Sequence, residues 1–367
     1  MKKKILAILC AVVCLFSVSC TPDYSGKQIK AENVKNVILL IGDGMGPNQI
    51  KAGEILKGEP LFMQGLTQQT KVETSPYDED VVTDSAAAAT AMATGVRTRG
   101  GYVGLDKDGN HLESIVDIAK RNGKRTGVIS TEELTGATPM GFSSHALNRS
   151  SAYELVSNAV ASSNVDLFAG YIFSSLIYSP LYEENGYTKV ANVDDISKSS
   201  ANKIFGDYCV YADEPSMQAN LDVSALDRLV MESIEWLSKD EDGFFLMAEG
   251  AHIDKKCHEN NLNAMLKELY AFDDTVKAVV NWASKRNDTV VIVTADHETG
   301  GLGFMRSATK ENFFEKYWWQ TTGHTATPVN LYFYGNELNF EKVSSYGDAT
   351  LIRNVDIFRL MKSYIEP

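Results

Sequence analysis

Asn36-Val-Ile-Leu-Leu-Ile-Gly-Asp-Gly-Met-Gly46 is the stretch on which the fold turns. From Val37 to Ile41 apolar side chains occupy both faces, with no polar–apolar alternation. A strand wetted on one side alternates, whereas a strand covered by helices on both sides does not. The run therefore predicts a central strand over Asn36–Ile41, and the glycine-rich turn behind it puts Asp43 just past the carboxyl end. Ligands of open α/β sheets gather at that end of the strands, and glycines there admit a close approach of backbone or ions.

Outward from this run the pattern repeats. Strands are expected at Thr126–Ser130, Asp166–Gly170, Gly243–Ala248, Thr289–Thr294 and Asn330–Tyr334. Helical periodicity falls at Ser85–Ala93, Leu112–Arg121, Ser150–Val160, Ala225–Ser238, Leu262–Lys285 and Val355–Tyr364. Such alternation argues for an α/β fold with a largely parallel sheet. Without a repeat or a long low-complexity linker, residues 33–367 read as one catalytic domain. The stretch from Ile172 to Pro215, rich in Tyr, Ser, Asn and Asp, reads as a surface excursion or as a wall of the cleft.

The acidic end of the first strand recurs elsewhere. Glu249 follows Gly243–Ala248, and Asp296 follows Thr289–Ala295 with His297 beside it. Three carboxylates at three strand ends exceed what turn chemistry alone asks for. Asp254 and His258 stand four apart, so a helix over Gly250–Asn260 turns both toward one ion. His324, in Thr322-Gly-His-Thr325, adds a third imidazole. Imidazole and carboxylate together suit zinc, whereas oxygen-only sets suit magnesium. His111, His145 and His252 read as surface or packing residues or as supports for the ligands.

Ser85 opens Ser-Ala-Ala-Ala-Ala-Thr-Ala-Met-Ala-Thr94, a strong helix former. A serine there is a cap, or a nucleophile whose phosphoryl group the helix dipole would stabilise. No histidine base adjoins it in sequence, so a metal is the better activator.

Bulk properties narrow the partners. The chain has 367 residues, 44% of them hydrophobic, enough for a large core. With 35 basic against 48 acidic side chains and no basic stripe, nucleic acid is disfavoured as a partner. Affinity for phosphate must then be local, from metals and one or two arginines.

The first twenty residues form a separate object. Lys2, Lys3 and Lys4 precede a fourteen-residue apolar-to-small run from Ile5 to Val18. This is a signal-peptide layout, short for a membrane span. Losing those lysines takes the net charge from −13 to −16. The end of the segment resembles a bacterial lipoprotein signal with Cys20 as the lipidated residue and Thr21–Glu32 as tether, although Ser17 stands where leucine is usual. A periplasmic or secreted product is the alternative to a lipid anchor. Beyond Cys20 only Cys209 and Cys257 remain, readable as a disulfide, as packed thiols or, for Cys257, as a ligand.

Taken together, Asn36–Gly46, Val82-Thr-Asp-Ser-Ala86, Glu249…Asp254…His258, Thr294-Ala-Asp-His297 and Thr322-Gly-His324 resemble the alkaline phosphatase family in content and order. The resemblance implies a doubly wound α/β fold with helices on both faces, a phosphoserine intermediate, two zinc ions and a magnesium. It implies Ser85 as nucleophile and Asp254, His258 and His324 as ligands of one zinc. Asp43, Ser85, Asp296 and His297 would hold the other, and Asp43, Thr138 and Glu249 the magnesium. Arg149 would grip phosphate, with Asp84 orienting it. Lys255 would meet phosphate through water or form a surface salt bridge.

The pattern departs at Gly136, where the family commonly carries aspartate or histidine beside the magnesium, which puts the third site in question. The implied activity is broad hydrolysis of small phosphate monoesters at alkaline pH by an exported enzyme, with a homodimer implied by resemblance only. A phosphodiesterase or sulfatase of the same superfamily, and a lipoprotein that binds metal or phosphate without turnover, are the competing readings.

Overall fold

The computed structural model describes residues 29–66, 68–172, 175–208 and 226–367. The amino-terminal segment with Cys20, the tether up to residue 28, and Cys209 lie outside the described residues.

The chain builds a ten-stranded sheet in the order β14-β2-β13-β8-β1-β7-β3-β4-β6-β5. Its strands are β1 (Asn36–Gly42), β2 (Gln68–Glu73), β3 (Arg125–Glu133), β4 (Leu167–Tyr171), β5 (Thr188–Lys189), β6 (Ile204–Asp207), β7 (Phe244–Gly250), β8 (Thr289–Thr294), β13 (Val329–Tyr334) and β14 (Leu351–Arg353). Two small ribbons pair β9 (Glu298–Thr299) with β12 (His324–Thr325) and β10 (Gly303–Phe304) with β11 (Tyr317–Trp318). Within the large sheet only β13 is antiparallel to its neighbours. Every residue of β1, β7 and β8 is buried, as runs without alternation require.

The helices are α1 (Pro47–Lys57), α2 (Ser85–Thr94), α3 (Ile115–Arg121), α4 (Ala137–Ser143), α5 (Ala152–Ser162), α6 (Ser175–Glu184), α7 (Leu226–Leu237), α8 (His252–His258), α9 (Leu262–Ala283), α10 (Phe340–Val343) and α11 (Asn354–Ile365). Helices α2, α3, α4, α5 and α11 pack on one another, as do α1, α7, α8 and α9. Both sets touch β3 and β7, so they cover opposite faces of a doubly wound sheet.

Register carries the site. Ile41 pairs with Glu249 and with Thr294, and Ser130 pairs with Glu249. Parallel strands in this register end together, so Asp43, Glu249 and Asp296 emerge along one edge.

Several elements differ from the sequence reading. Helix α3 starts at Ile115, not Leu112, because Ser114 caps it: its Oγ accepts from the Asp117 N–H at 3.2 Å, and Asp117 accepts from the Ser114 N–H at 2.8 Å. Helix α1 escaped notice although Pro47 at its first turn and Gly58 (φ +87°) past its end are ordinary signals. The stretch assigned to a surface excursion instead forms α6, β5 and β6 at the sheet edge. Tyr182, Tyr187 and Tyr208 are buried there, Tyr187 donating to Val165 O at 2.6 Å and Tyr208 to Val190 O at 2.7 Å. A polar composition concealed a buried aromatic cluster. Positions 209–215 of that stretch lie outside the described residues. No described helix is long and apolar enough to cross a membrane.

Candidate active site

Ser85 stands at the first position of α2, behind Asp84 as N-cap. The Asp84 carboxylate accepts from the Ala87 N–H at 3.1 Å, from the Gly101 N–H at 3.2 Å and from Arg149 Nη1 at 3.0 Å. Burial alone would raise its pKa; the Ala87 N–H, Arg149 and the Gly101 N–H hold it below the ordinary value instead. Asp84 thus fixes both the start of the serine helix and the approach of the guanidinium.

Past the ends of β1 and β8, four expected residues converge. His297 Nε2 lies 3.2 Å from Ser85 Oγ, 3.1 Å from Asp296 Oδ2 and 3.7 Å from Asp43 Oδ1. Asp296 is anchored through its other oxygen, which accepts from the Gly44 N–H at 3.1 Å and the His297 N–H at 2.9 Å. Gly44 is required here: its φ is +68°, and a Cβ would stand 2.8 Å from Asp254 Cα.

A second group forms beside it. Asp254 and His258, on one side of α8, meet His324 from β12. His258 Nε2 is 3.2 Å from Asp254 Oδ2, and His324 Nε2 is 3.7 Å from Asp254 Oδ1. The two Nε2 atoms face each other at 3.2 Å. Thr322 O accepts from His258 Nδ1, and Thr83 O accepts from His324 Nδ1 at 2.9 Å. A carbonyl can only accept, so each Nδ1 carries the proton and each Nε2 offers a lone pair. For His297, Nδ1 sits 3.2 Å from Thr299 Oγ1, whose own hydrogen goes to Asp254. That hydroxyl must accept from Nδ1–H, which again leaves Nε2 bare. In their neutral form the three imidazoles, oriented by their far nitrogens, turn Nε2 lone pairs toward the site's carboxylates, the arrangement metal-binding histidines adopt.

The ligand atoms of Asp254, His258 and His324 lie within 4.8 Å of one another, as do those of Asp43, Asp254 and His297. Asp254 therefore borders both groups, where the sequence reading gave it to one.

Electrostatics point the same way. Asp43 Oδ1 and Asp296 Oδ2 are buried without a hydrogen-bond donor. Burial first, then the charges of Asp296, Asp254 and Glu249, push the Asp43 carboxyl well up. Burial would raise Asp254 also, but His258, the nearby His297 and Thr299 hold it well below the carboxylate range. The hydrogen bond to Asp254 raises His258 in turn. Burial lowers His297. Buried anions at this density need cations, and the donor set fits divalent ions: nitrogen-rich beside Asp254, oxygen-rich beside Asp43.

Glu249 is also buried, accepting from Ser130 Oγ at 2.5 Å. Burial, with Glu132 next in effect, pushes its carboxyl up to about 8 against the pull of the Ser130 and Thr138 hydroxyls. Thr138, in α4, is buried and completes no hydrogen bond through its hydroxyl. Lys255 forms an ion pair with Glu132 at 2.6 Å.

Thr299 and Glu132 escaped the sequence reading. Thr299 follows His297 by two positions and was within its reach; nothing local marks Glu132. Cys257 is a buried free thiol outside both ligand groups. His252 bonds to Thr131 O at 3.0 Å, and His111 stacks on His145.

The family model described as alkaline phosphatase matches residues 34–177 and 180–361. Alkaline phosphatase 3 of Bacillus subtilis (strain 168) is 34% identical over 76% of this chain and 65% of its own length. Alkaline phosphatase of Escherichia coli (strain K12) is 31% identical over 72% of this chain and 70% of its own. The match thus spans slightly less than two thirds of the Bacillus relative. The solved alkaline phosphatase of the Antarctic bacterium TAB5 superposes with a TM-score of 0.77 at 31% identity, covering 92% of this chain and 99% of that one. A histidine-to-glutamate variant of it, solved with magnesium bound in the M3 site, gives the same values. On the breadth of the family match and the order of its motifs along the sheet, the chain belongs to the alkaline phosphatase family.

Proposed function

We propose that this protein hydrolyses phosphate monoesters of broad structure at alkaline pH through a phosphoserine on Ser85, with two zinc ions and a magnesium. The observation that carries the reading is Ser85 Oγ at a helix N-terminus, 3.2 Å from His297 Nε2 among the clustered carboxylates and imidazoles. Asp254, His258 and His324 would hold one zinc and Asp43, Ser85, Asp296 and His297 the other. Asp43, Thr138 and Glu249 would hold magnesium. Bound there, the ions supply Lewis-acid charge that favours the serine alkoxide, the leaving oxygen and the attacking water.

The chain's own residues do the rest. Ser85 Oγ attacks phosphorus as the ester P–O bond breaks and the alcohol departs; water then breaks the Oγ–P bond and releases phosphate. Arg149, held by Asp84 through one amino group, is placed to clamp phosphoryl oxygens. The positive end of α2 favours the phosphoserine over the free hydroxyl.

Export through the amino-terminal segment, a lipid anchor at Cys20 and a homodimer belong to the same reading. It is supported by the signal-like layout of residues 1–20 and by the family.

The test is hydrolysis of an aryl phosphate at alkaline pH with zinc and magnesium, beside Ser85→Ala and an aryl phosphodiester. Monoester turnover that falls about a thousandfold or more in the variant is the expected result. Preference for the diester would move the protein to a sister activity. Absence of turnover of either ester in folded, metal-loaded protein would leave a binding role.

A further inference from the structure

Strand β3 continues past the residue that touches Glu249. Ser130 donates to Glu249, and two positions on, Glu132 donates its own N–H to Ser130 Oγ at 3.0 Å. Residues two apart share a face of a strand, and the register of β3 with β4 shifts between Ile129 and Glu133, an irregularity that re-aims side chains. The Glu132 side chain is thereby brought over the start of α4. There it lies beside Gly136, the N-cap: a Cβ on Gly136 would lie 3.5 Å from Glu132 Oε2. That same Cβ would meet Glu133 O at 2.9 Å, so the backbone itself disfavours a side chain at 136.

Oxygen-bearing side chains stand close by, Glu132 and Thr138 both acting on the Glu249 carboxylate. Glu249 and Thr138 are buried, and the Thr138 hydroxyl that faces the Glu249 carboxylate completes no hydrogen bond. Asp43 Oδ1 is likewise unpartnered. Glu132 differs from these three in keeping about a quarter of its side-chain surface exposed and in giving Oε1 to Lys255 at 2.6 Å. A magnesium ion keeps several waters, and those waters need acceptors beyond the direct ligands. The buried groups suit direct contact, and the half-open Glu132 suits the outer shell of water.

We propose that Glu132 is a positioning residue of this pocket: its Oε2 accepts from waters on a magnesium ion held by Asp43, Thr138 and Glu249, while its Oε1 tethers the Lys255 ammonium. The proposal rests on the reading above that a magnesium occupies this pocket. It assigns to Glu132 the outer carboxylate that position 136 cannot supply, and it keeps Lys255 drawn toward Glu132.

The test is magnesium titration by calorimetry into zinc-loaded protein, comparing the wild type with Glu132→Gln, Glu132→Asp and the neighbouring Glu133→Gln. Zinc content by elemental analysis and inhibition by inorganic phosphate are measured alongside. Glu132→Gln is expected to weaken magnesium about tenfold or more with zinc content unchanged, as loss of an outer-shell partner does. It is also expected to strengthen inhibition by phosphate, because Lys255 is released. Glu132→Asp should recover part of the affinity, and Glu133→Gln should bind as the wild type does. Unchanged magnesium affinity in Glu132→Gln, or an equal loss in Glu133→Gln, would overturn the proposal. A lower melting temperature with magnesium affinity intact would reduce Glu132 to a structural ion pair and overturn it too. Wild-type protein that binds magnesium through Glu132 yet hydrolyses no phosphate ester would sink the proposed function alone.

Discussion

The two ends of the central strands solve the same problem in opposite ways. At the amino end, buried polar groups find protein partners. Lys124 Nζ donates to Lys35 O at 2.8 Å and Asp242 O at 2.9 Å, and Asn36 Nδ2 donates to Thr289 Oγ1 at 2.9 Å. Asp166 accepts from Lys120 Nζ at 2.5 Å and from the Thr126 N–H at 3.0 Å. At the carboxyl end, Asp43, Glu249, Asp254 and Asp296 are all at most 5% exposed, and oxygens of Asp43 and Asp296 have no donor. Unpaired buried anions oppose folding of the bare protein. The amino end is built for stability and the carboxyl end for ions.

Chelation gives the largest separation between the two ends. Stripping the protein of metal is expected to abolish turnover and lower the melting temperature, with both restored by zinc and magnesium. Retained turnover after verified metal loss would break the comparison. Asp43→Asn comes next. It should cost at least about a hundredfold in kcat, since outer-sphere partners alone cost ten- to a hundredfold and Asp43 is proposed as a direct ligand. Chemical denaturation of the metal-free variant should show a gain of about 1–2 kcal/mol, because one of several crowded buried charges is gone. A loss there would mean the carboxylates are not mutually repulsive in the bare protein.

Arg149→Ala is expected to lower kcat/KM by about ten- to a hundredfold, the worth of hydrogen bonds to a charged group, without altering zinc content. Steady-state kinetics with elemental analysis would check it; lost zinc would show that Arg149 supports the metals instead. The smallest effect belongs to the amino end. Lys124→Met should cost about 1–3 kcal/mol by removing two part-buried, charge-assisted hydrogen bonds to backbone carbonyls, with turnover unchanged. A rate change in that variant would mean the two ends are coupled.

How legible was this from the chain alone? The unalternating runs at Val37–Ile41 and Thr289–Thr294 foretold strands buried on both faces, and the structure has them at the sheet centre. Acidic residues at the ends of those runs stood out because turns rarely need three. Strands near the margins of the sheet were not visible. Gln68–Glu73 is polar at every position but Val72, and Thr188–Lys189 is only two residues long, so neither leaves a hydrophobic signature. The tyrosine cluster around α6, β5 and β6 misled for the reverse reason, the hydroxyls of Tyr187 and Tyr208 being satisfied by backbone carbonyls inside the fold.

Residue order alone announces the chemistry that can be carried by side-chain type and strand period: a parallel sheet, carboxylates at its carboxyl edge, histidines near them and a serine opening a helix. It cannot announce which nitrogen of His258 or His324 holds the proton, because that rests on the carbonyls of Thr322 and Thr83, and every residue owns a carbonyl. Nor does it show that Asp254 borders two groups of ligands, or that Glu132 reaches the space above Gly136. Those are distances between segments far apart in the chain. They are set by strand register and helix packing, which only the folded molecule brings into being.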